Sequence, residues 1–262
     1  KVKTETQIEK STLENKVNFL SIIGKDDLGK LVFERMKEDK INKKYVLSSI
    51  EETPSSIILY DKEGKRQIYC DLKNLQETEY PEEVFEEAME DISLAIICNI
   101  NFSRPLLKKA KKNNKIIATD VHVIRDLEDS YNQDFMKYAD ILFQSDENLP
   151  CSPEEWARKI RDKFGTEIIV IGLGKKGSLL SVKKDNFMER FNAFYSRPVV
   201  NTIGAGDALF SCFNHFYNKT KNPYLSLEKA TIFASYKIGE KTAASGFLTE
   251  KELENIKYEK IV

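Results

Sequence analysis

The chain has 262 residues, with 41 Lys and Arg against 42 Asp and Glu, and a formal net charge of −1. This balance gives no electrostatic reason to expect a nucleic acid or an anionic membrane as a partner. No apolar run approaches the ~18–20 residues that a membrane span needs. The 4 cysteines lie far apart and form no C-x-x-C pair, which favours a protein of the reducing cytoplasm.

Strand-like and helix-like segments alternate along the chain. The apolar run at 17–24 is typical of a strand. The next segment predicts an amphipathic helix whose apolar face contains Leu28, Leu31, Val32 and Met36. Helical segments separate further runs that are typical of buried strands, at 93–100, 115–121, 139–145 and 167–174. Strands separated by helices of this length predict an α/β fold, with a parallel sheet covered on both faces.

Two β-rich segments, SSIILYD and RQIYCDL, flank the Gly-containing turn KEGK. They predict a hairpin at about 55–72 that stands apart from the main sheet. Because side chains alternate along a strand, we expect one apolar face to contain Ile57, Leu59, Ile68 and Cys70. A hairpin alone is marginal in water, so this face should cover N-terminal strands, a bound ligand or a second subunit.

The segment GLGKKG at 172–177 fits the pattern G-x-G-x-x-G and follows a strand. A dinucleotide-binding fingerprint requires a helix next, whereas the apolar SLLSV predicts a second strand. We therefore expect a tight turn between two strands here. An NAD-dependent oxidoreductase is the alternative that this pattern disfavours.

The segment NTIGAGDALF at 201–210 places a glycine-rich turn directly before Asp207, where a helix begins. Amides at a helix N-terminus lack partners within the helix and together carry about half a positive charge. An acid at this point is explained if it accepts a proton from a hydroxyl while the amides of 204–206 stabilise the attacked phosphoryl group. On these residues alone, an ordinary first-turn acid remains the alternative. His215, further along the helix, lies on its polar side and is expected at the surface.

The same segment resembles the D-T-x-G-A-G-D signature of the PfkB, or ribokinase-like, family of carbohydrate kinases. Further segments resemble other elements of the family and occur in the family's order. They are GKDDLG, the hairpin with its G-x-R turn, QSDE and GLGKKG. The resemblance implies a ribokinase-like three-layer sandwich with a mostly parallel central sheet and a small antiparallel lid. It also implies one kinase domain over 1–262, from which the family's N-terminal substrate-binding segment is missing.

The resemblance implies an ATP-dependent kinase that phosphorylates a hydroxymethyl group of a sugar or nucleoside. Asp207 would be the general base, and Glu147 would act through water on the Mg²⁺ that accompanies ATP. The anion hole would consist of the amides of Gly204, Ala205 and Gly206. The residues implied beside the nucleotide are Gly172, Gly174, Gly177, Thr202, Ala234, Ser235 and Gly246.

Two residues are candidates for substrate binding. Asp120 ends a strand, at the sheet edge where open α/β folds bind ligands, and Arg66 lies in the lid hairpin. A purely structural role stays open for both. Because lids of this family often pair between subunits, a homodimer through the hairpin is a further implication.

Three positions depart from the family pattern. Asn201 replaces the leading aspartate, whose charge is often tied to a cation, and this counts against activation by a monovalent cation. Gln144 replaces the asparagine of N-x-x-E, and Gly172 replaces a threonine. These departures keep a second hypothesis open, in which a kinase-like fold senses a sugar or nucleotide without turnover.

Overall fold

A six-stranded sheet forms the centre of the computed structural model, which describes residue 13 and residues 15–60, 66–242 and 245–256. Its strand order is β10-β9-β8-β7-β6-β5, and β5 to β8 are parallel while β9 runs antiparallel to both neighbours. The strands are β5 (Leu94–Ile96), β6 (Ile116–Asp120), β7 (Ile141–Ser145), β8 (Ile168–Gly172), β9 (Ser178–Val182) and β10 (Phe187–Phe191). The predicted α/β architecture with a mostly parallel sheet is confirmed.

Helices cover both faces of this sheet. They are α1 (Asp27–Glu38), α2 (Glu82–Met89), α3 (Arg104–Lys112), α4 (Gln133–Tyr138), α5 (Pro153–Phe164), α6 (Ala205–Thr220), α7 (Pro223–Lys237) and α8 (Glu250–Glu254). Leu142 of β7 packs in one apolar cluster with Ile160 of α5, whereas its neighbour Phe143 packs in another with Phe213 of α6. Successive strand residues thus point into opposite layers, which makes a three-layer sandwich. No helix in the described residues combines the length and apolarity that crossing a bilayer would take.

The predicted hairpin is present as a separate two-stranded sheet of β3 (Ser55–Tyr60) and β4 (Arg66–Asp71). Residues 61–65 and the side chain of Arg66 lie outside the described part of the chain. Ile57 pairs with Tyr69, and Ile58 pairs with Ile68. Because cross-strand partners share a face, the prediction that Ile57, Leu59, Ile68 and Cys70 form one face is wrong.

Both faces of the hairpin carry exposed apolar side chains. Ile57, Leu59 and Tyr69 are 63%, 52% and 53% exposed on one face, and Ile68 is 48% exposed on the other. The alternation within each strand follows from the sequence. Which side chains of the two strands share a face depends on the register of their pairing, and the turn sets that register.

A second small sheet pairs β1 (Ser21–Gly24) with the parallel strand β2 (Val46–Ile50) and leads into helix α1. The carboxylate of Asp26 caps α1 through the Gly29 amide at 2.9 Å and also accepts from the amide and hydroxyl of Thr53. These bonds, first that of the Thr53 hydroxyl, hold the pKa of the Asp26 carboxyl below its usual value. The GKDDLG turn therefore anchors the base of the hairpin, because Thr53 lies two residues before β3.

Two expectations about burial fail. Of the face expected on α1, Leu28 and Leu31 are 49% and 59% exposed, whereas Met36 is buried and Val32 packs against the same cluster. His215, expected at the surface, is only 8% exposed. Its ring contacts Asn15 at 2.8 Å and Glu250 at 3.2 Å, and burial lowers its pKa. Neither outcome has a local cause, because each depends on which neighbours the fold supplies.

Gly29 is predicted to tolerate no side chain, since a Cβ there would lie 2.1 Å from the carbonyl oxygen of Gly24. We expect Gly29→Ala to destabilise the fold by ~1–3 kcal/mol through overpacking, measured by thermal unfolding. Gly206→Ala is the matched control, because a Cβ at Gly206 meets nothing within 4 Å. Equal melting temperatures for the two variants would contradict the close packing of Gly24 and Gly29.

Candidate active site

The candidate residues collect at one edge of the central sheet, where β6, β7 and β8 end. Asp120 is the last residue of β6, and Gly172 is the last residue of β8. The connecting loops touch directly, since the Ser145 amide donates to the His122 carbonyl at 2.6 Å and the Asp146 amide to the Gly172 carbonyl at 2.9 Å. This carboxyl edge is where open parallel sheets bind their ligands.

The GLGKKG segment forms a turn between two strands, as predicted. A single 3₁₀ turn at Gly174–Lys176 joins β8 to the antiparallel β9, and the Leu173 amide donates to the Gly177 carbonyl at 2.8 Å. Gly177 has φ 94°, and a Cβ there would lie 1.9 Å from the carbonyl oxygen of Phe191. No α-helix follows, so the turn lacks the geometry of a dinucleotide-binding fingerprint. A Cβ at Gly174 would meet nothing within 4 Å, which leaves its backbone open to a ligand.

Helix α6 begins in the GAGD turn. Gly204, with φ 79°, is the residue before the helix, and the Ala208 amide donates to its carbonyl at 2.8 Å. Ala205 donates its amide to the Thr202 carbonyl at 3.2 Å, so in this conformation that amide is directed away from a ligand. Gly206 is exposed with open space in front of it. Asp207 is half-buried in the same turn, which places an acid beside an accessible helix N-terminus.

The C-terminal end of α7 lies against this turn. The amides of Val200 and Asn201 both donate to the Ile238 carbonyl, at 2.8 and 3.0 Å. The Asn201 side chain donates to the Lys241 carbonyl and accepts from the Ile203 amide, at 2.9 Å each. An aspartate could not make the first of these bonds, because a carboxylate only accepts. The amide therefore ties the turn to the segment that follows α7.

Four of the residues implied beside the nucleotide lie on α7, after it, or before the GAGD turn. Ser235 is buried, and its hydroxyl donates to the Ile232 carbonyl at 2.7 Å and lies 3.2 Å from the Ser196 hydroxyl. Gly246 has φ 76°, close to Glu240, while 243–244 lie outside the described residues. Ala234 is half-buried on α7 and Thr202 is exposed before the GAGD turn.

Arg197, which sequence reasoning missed, binds together the segments around α7. Its guanidinium lies 3.8 Å from the centre of the Tyr236 ring, donates to the Tyr236 carbonyl and pairs with Glu240 at 2.9 Å. A cation stacked on an aromatic ring and bonded to a carbonyl is held in one orientation. Arg197 thereby fixes the chain before Asn201 onto the C-terminal end of α7.

Two polar side chains near the end of β7 lie in different environments. Gln144 is 4% exposed, and neither end of its amide has a hydrogen-bond partner among the described residues. Such a group is costly unless a ligand or water satisfies it. Glu147 is exposed in the loop after β7, where its amide donates to the Ser145 hydroxyl at 3.2 Å. No cluster of three or more His, Cys, Asp or Glu suited to a metal occurs in the described part of the chain.

Asp120 is held at the end of β6 by its neighbour. One carboxylate oxygen accepts from the His122 amide at 2.8 Å, and the other lies 3.4 Å from the His122 ring. The side chain is 12% exposed. The structure thus brings Asp120, Gln144 and the β8–β9 turn to the same sheet edge.

A cavity of about 540 Å³ lies away from this edge region, between residues 15–20, the outer side of β5 and the middle of α6. Among the described residues β5 pairs only with β6, so its unpaired edge faces this cavity. It contains neither Asp207 nor the glycines of the β8–β9 turn. This cavity and the candidate residues at the carboxyl edge therefore lie in different parts of the fold.

The sequence is similar to those of known kinases. A deoxyribokinase of Salmonella typhi is 31% identical over 91 residues, which are 35% of this chain and 28% of that protein. The chain thus spans less than a third of the length of that curated relative. An ATP-dependent 6-phosphofructokinase of Thermoanaerobacterium thermosaccharolyticum is 24% identical over 84% of this chain and 72% of that protein.

A solved structure shows the fold. The microbiome-derived acarbose kinase Mak1 superposes with a TM-score of 0.85 at 21% identity, over 96% of this chain and 84% of that one. Residues 10–250 match the family described as pfkB family carbohydrate kinase. The match covers most of the chain, including the GAGD turn, the β3–β4 hairpin and the β8–β9 turn. The chain belongs to the pfkB family of carbohydrate kinases.

Proposed function

We propose that this protein is an ATP-dependent kinase that phosphorylates a hydroxymethyl group of a sugar or nucleoside. The observation that carries the proposal is the GAGD turn, where the half-buried Asp207 stands beside the open backbone of Gly206. A base and an anion-binding backbone within one helical turn are the two groups that phosphoryl transfer to an alcohol requires.

In the proposed reaction, Asp207 accepts the proton of the substrate hydroxyl as its oxygen attacks the terminal phosphorus of ATP. The bond from that phosphorus to the bridging oxygen breaks, and ADP leaves. The backbone at Gly204 and Gly206 stabilises the charge on the transferred group, because helix N-terminal amides attract anions. The Ala205 amide contributes only if its bond to Thr202 opens.

The proposed nucleotide site lies between the β8–β9 turn and the end of α7. The open space at Gly174 and the placement of Gly172 and Gly177 support a position for the phosphates and ribose there. Ala234, Ser235 and Gly246 would border the base. Mg²⁺ bound to ATP supplies charge neutralisation of the phosphates. Glu147 would hold it through water, and the unsatisfied amide of Gln144 fits such a hydrated group.

The proposed substrate site lies beneath the hairpin. Asp120 would accept hydrogen bonds from substrate hydroxyls, with Arg66 reaching from the lid. The exposed apolar faces of β3 and β4 support closure over the substrate and pairing with a second subunit, which a molecular mass measured in solution checks. All 4 cysteines are free thiols, which supports a cytoplasmic location.

A non-catalytic sensor of sugar or nucleotide is the second hypothesis, favoured by one observation. Gln144 is longer by one methylene than the family's asparagine, so its amide is displaced from the position at which the family's residue would meet hydrated magnesium. Measuring ADP release from ATP against a panel of sugars and nucleosides separates the two hypotheses. Binding of ATP without release under any acceptor would favour the sensor.

Replacing the proposed base should abolish turnover without abolishing ATP binding. We expect Asp207→Asn to lower kcat by ~10²–10⁴, the usual contribution of a general base, with an ATP dissociation constant close to that of the wild type. The control is Asp162→Asn, an exposed acid on α5 away from the sheet edge. Near-normal kcat for Asp207→Asn would refute the assignment.

A methyl group at Gly206 should block the approach of the phosphoryl group. We expect Gly206→Ala to lower kcat by ~10², similar to the loss of one anion-hole donor, while the melting temperature stays unchanged. The reason is the open space in front of Gly206, which a Cβ enters without a clash. Full activity in this variant, with unchanged unfolding, would show that the transferred group binds elsewhere.

The hairpin should exchange its amide hydrogens faster than the central sheet in the absence of ligands. Its two strands pair only with each other among the described residues, and their apolar side chains are exposed. We expect a saturating acceptor and nucleotide together to slow exchange at β3 and β4, with the β9–β10 pair as internal reference. Slow exchange without ligand, unchanged on adding both, would mean that the segment is not a lid.

A further inference from the structure

Lys237, the last residue of α7, is a buried cation at the candidate active site. Its side chain has no solvent exposure, and its ammonium donates to the Ile203 carbonyl at 3.2 Å and to the Thr242 carbonyl at 2.7 Å. An ammonium group is costly to bury unless oxygen atoms solvate it. Its place at the C-terminal end of a helix adds a favourable interaction with the helix dipole.

The two carbonyls belong to the segments that shape the proposed catalytic turn. Ile203 directly precedes Gly204, and Thr242 lies in the segment after α7 that Asn201 also contacts through Lys241. The ammonium therefore joins the anion-binding turn to the proposed adenine side of the nucleotide site. Backbone carbonyls gathered around one positive charge resemble the oxygen ligands of a hard monovalent or divalent cation.

An exchangeable monovalent cation, which the family resemblance implies near Asn201, does not fit these residues. The Asn201 side chain is neutral, and both of its ends are engaged by backbone groups. The carbonyl of Ile203 already accepts from the Lys237 ammonium. The ammonium of Lys237 therefore already lies among the carbonyl oxygens that would have to bind a free cation.

We propose that Lys237 is a positioning residue whose ammonium replaces an exchangeable monovalent cation in this kinase. It holds the GAGD turn against the segment after α7 with no ion taken from solution. This inference rests on the proposed kinase function for its activity readout. Its binding and stability readouts do not require an acceptor to be phosphorylated.

The first test uses the wild-type protein in buffers of Na⁺, K⁺, NH₄⁺ or choline at equal ionic strength. We expect the melting temperature, the ATP dissociation constant and kcat to be indistinguishable among them. A melting temperature or ATP affinity that rises specifically with K⁺ would overturn the proposal. This test needs no variant, so it decides the question even if substitutions at Lys237 prevent folding.

The second test compares Lys237→Ala, which leaves a cavity, with Lys237→Met, which fills it with an apolar chain. In Na⁺, we expect both to weaken ATP binding or turnover by roughly 10- to 100-fold, the range for loss of a charged hydrogen bond. Adding K⁺ or NH₄⁺ should restore ATP binding or turnover in Lys237→Ala and not in Lys237→Met. Lys229→Ala is the control, since Lys229 on the same helix donates to the Leu253 carbonyl at 3.3 Å, away from the GAGD turn.

Equal losses in both variants with no rescue by any cation would show a packing role alone and overturn the proposal. ATP binding that is unchanged in Lys237→Ala without added K⁺ would also overturn the proposal. If no acceptor is phosphorylated by the wild type, the kinase proposal fails. Cation rescue of ATP affinity and of the melting temperature in Lys237→Ala would then still support the role of Lys237.

Discussion

The packing of Phe143 against helix α6 fixes the geometry of the candidate active site. Its ring meets those of Phe210 and Phe213 edge-on, with centroids 5.0 and 5.1 Å apart. Such aromatic contacts add directional preference to apolar burial. Asp207 lies three residues before Phe210, and Glu147 lies four residues after Phe143. These two aromatic contacts thus hold the start of α6, with the proposed base, against the strand that leads to the proposed magnesium residue.

The turn at the start of α6 depends on polar contacts of a different kind. Asn201, Arg197 and Lys237 each bond carbonyls at or beyond the C-terminal end of α7. The Tyr236 carbonyl lies in the last turn of α7, and the Lys241 and Thr242 carbonyls lie in the segment after it. The same bonds hold the loop before Gly204 in place. The neutral residue at 201 and the buried lysine at 237 are therefore parts of one arrangement rather than separate departures from the family pattern.

Local patterns predicted the elements of the fold well. The alternation of apolar runs and helical segments gave the order of strands and helices, and the apolar SLLSV after GLGKKG correctly indicated β9. Residues whose environment depends on distant segments were predicted poorly. The faces of the hairpin depend on its register, and the burial of His215 depends on Asn15 and Glu250. Lys237 gives no local signal, because its partners come from two loops that meet only in the folded chain.

Helices α6 and α7 are joined by two residues, Lys221 in a left-handed conformation and Asn222, which caps α7. They form a helical hairpin whose open end carries both Asp207 and Lys237. Its contacts join segments that are close in sequence, so its formation requires little loop closure. The parallel pairs among β5 to β8 close much longer loops. The two residues most tied to the proposed chemistry thus lie on a part of the fold that needs little loop closure to form.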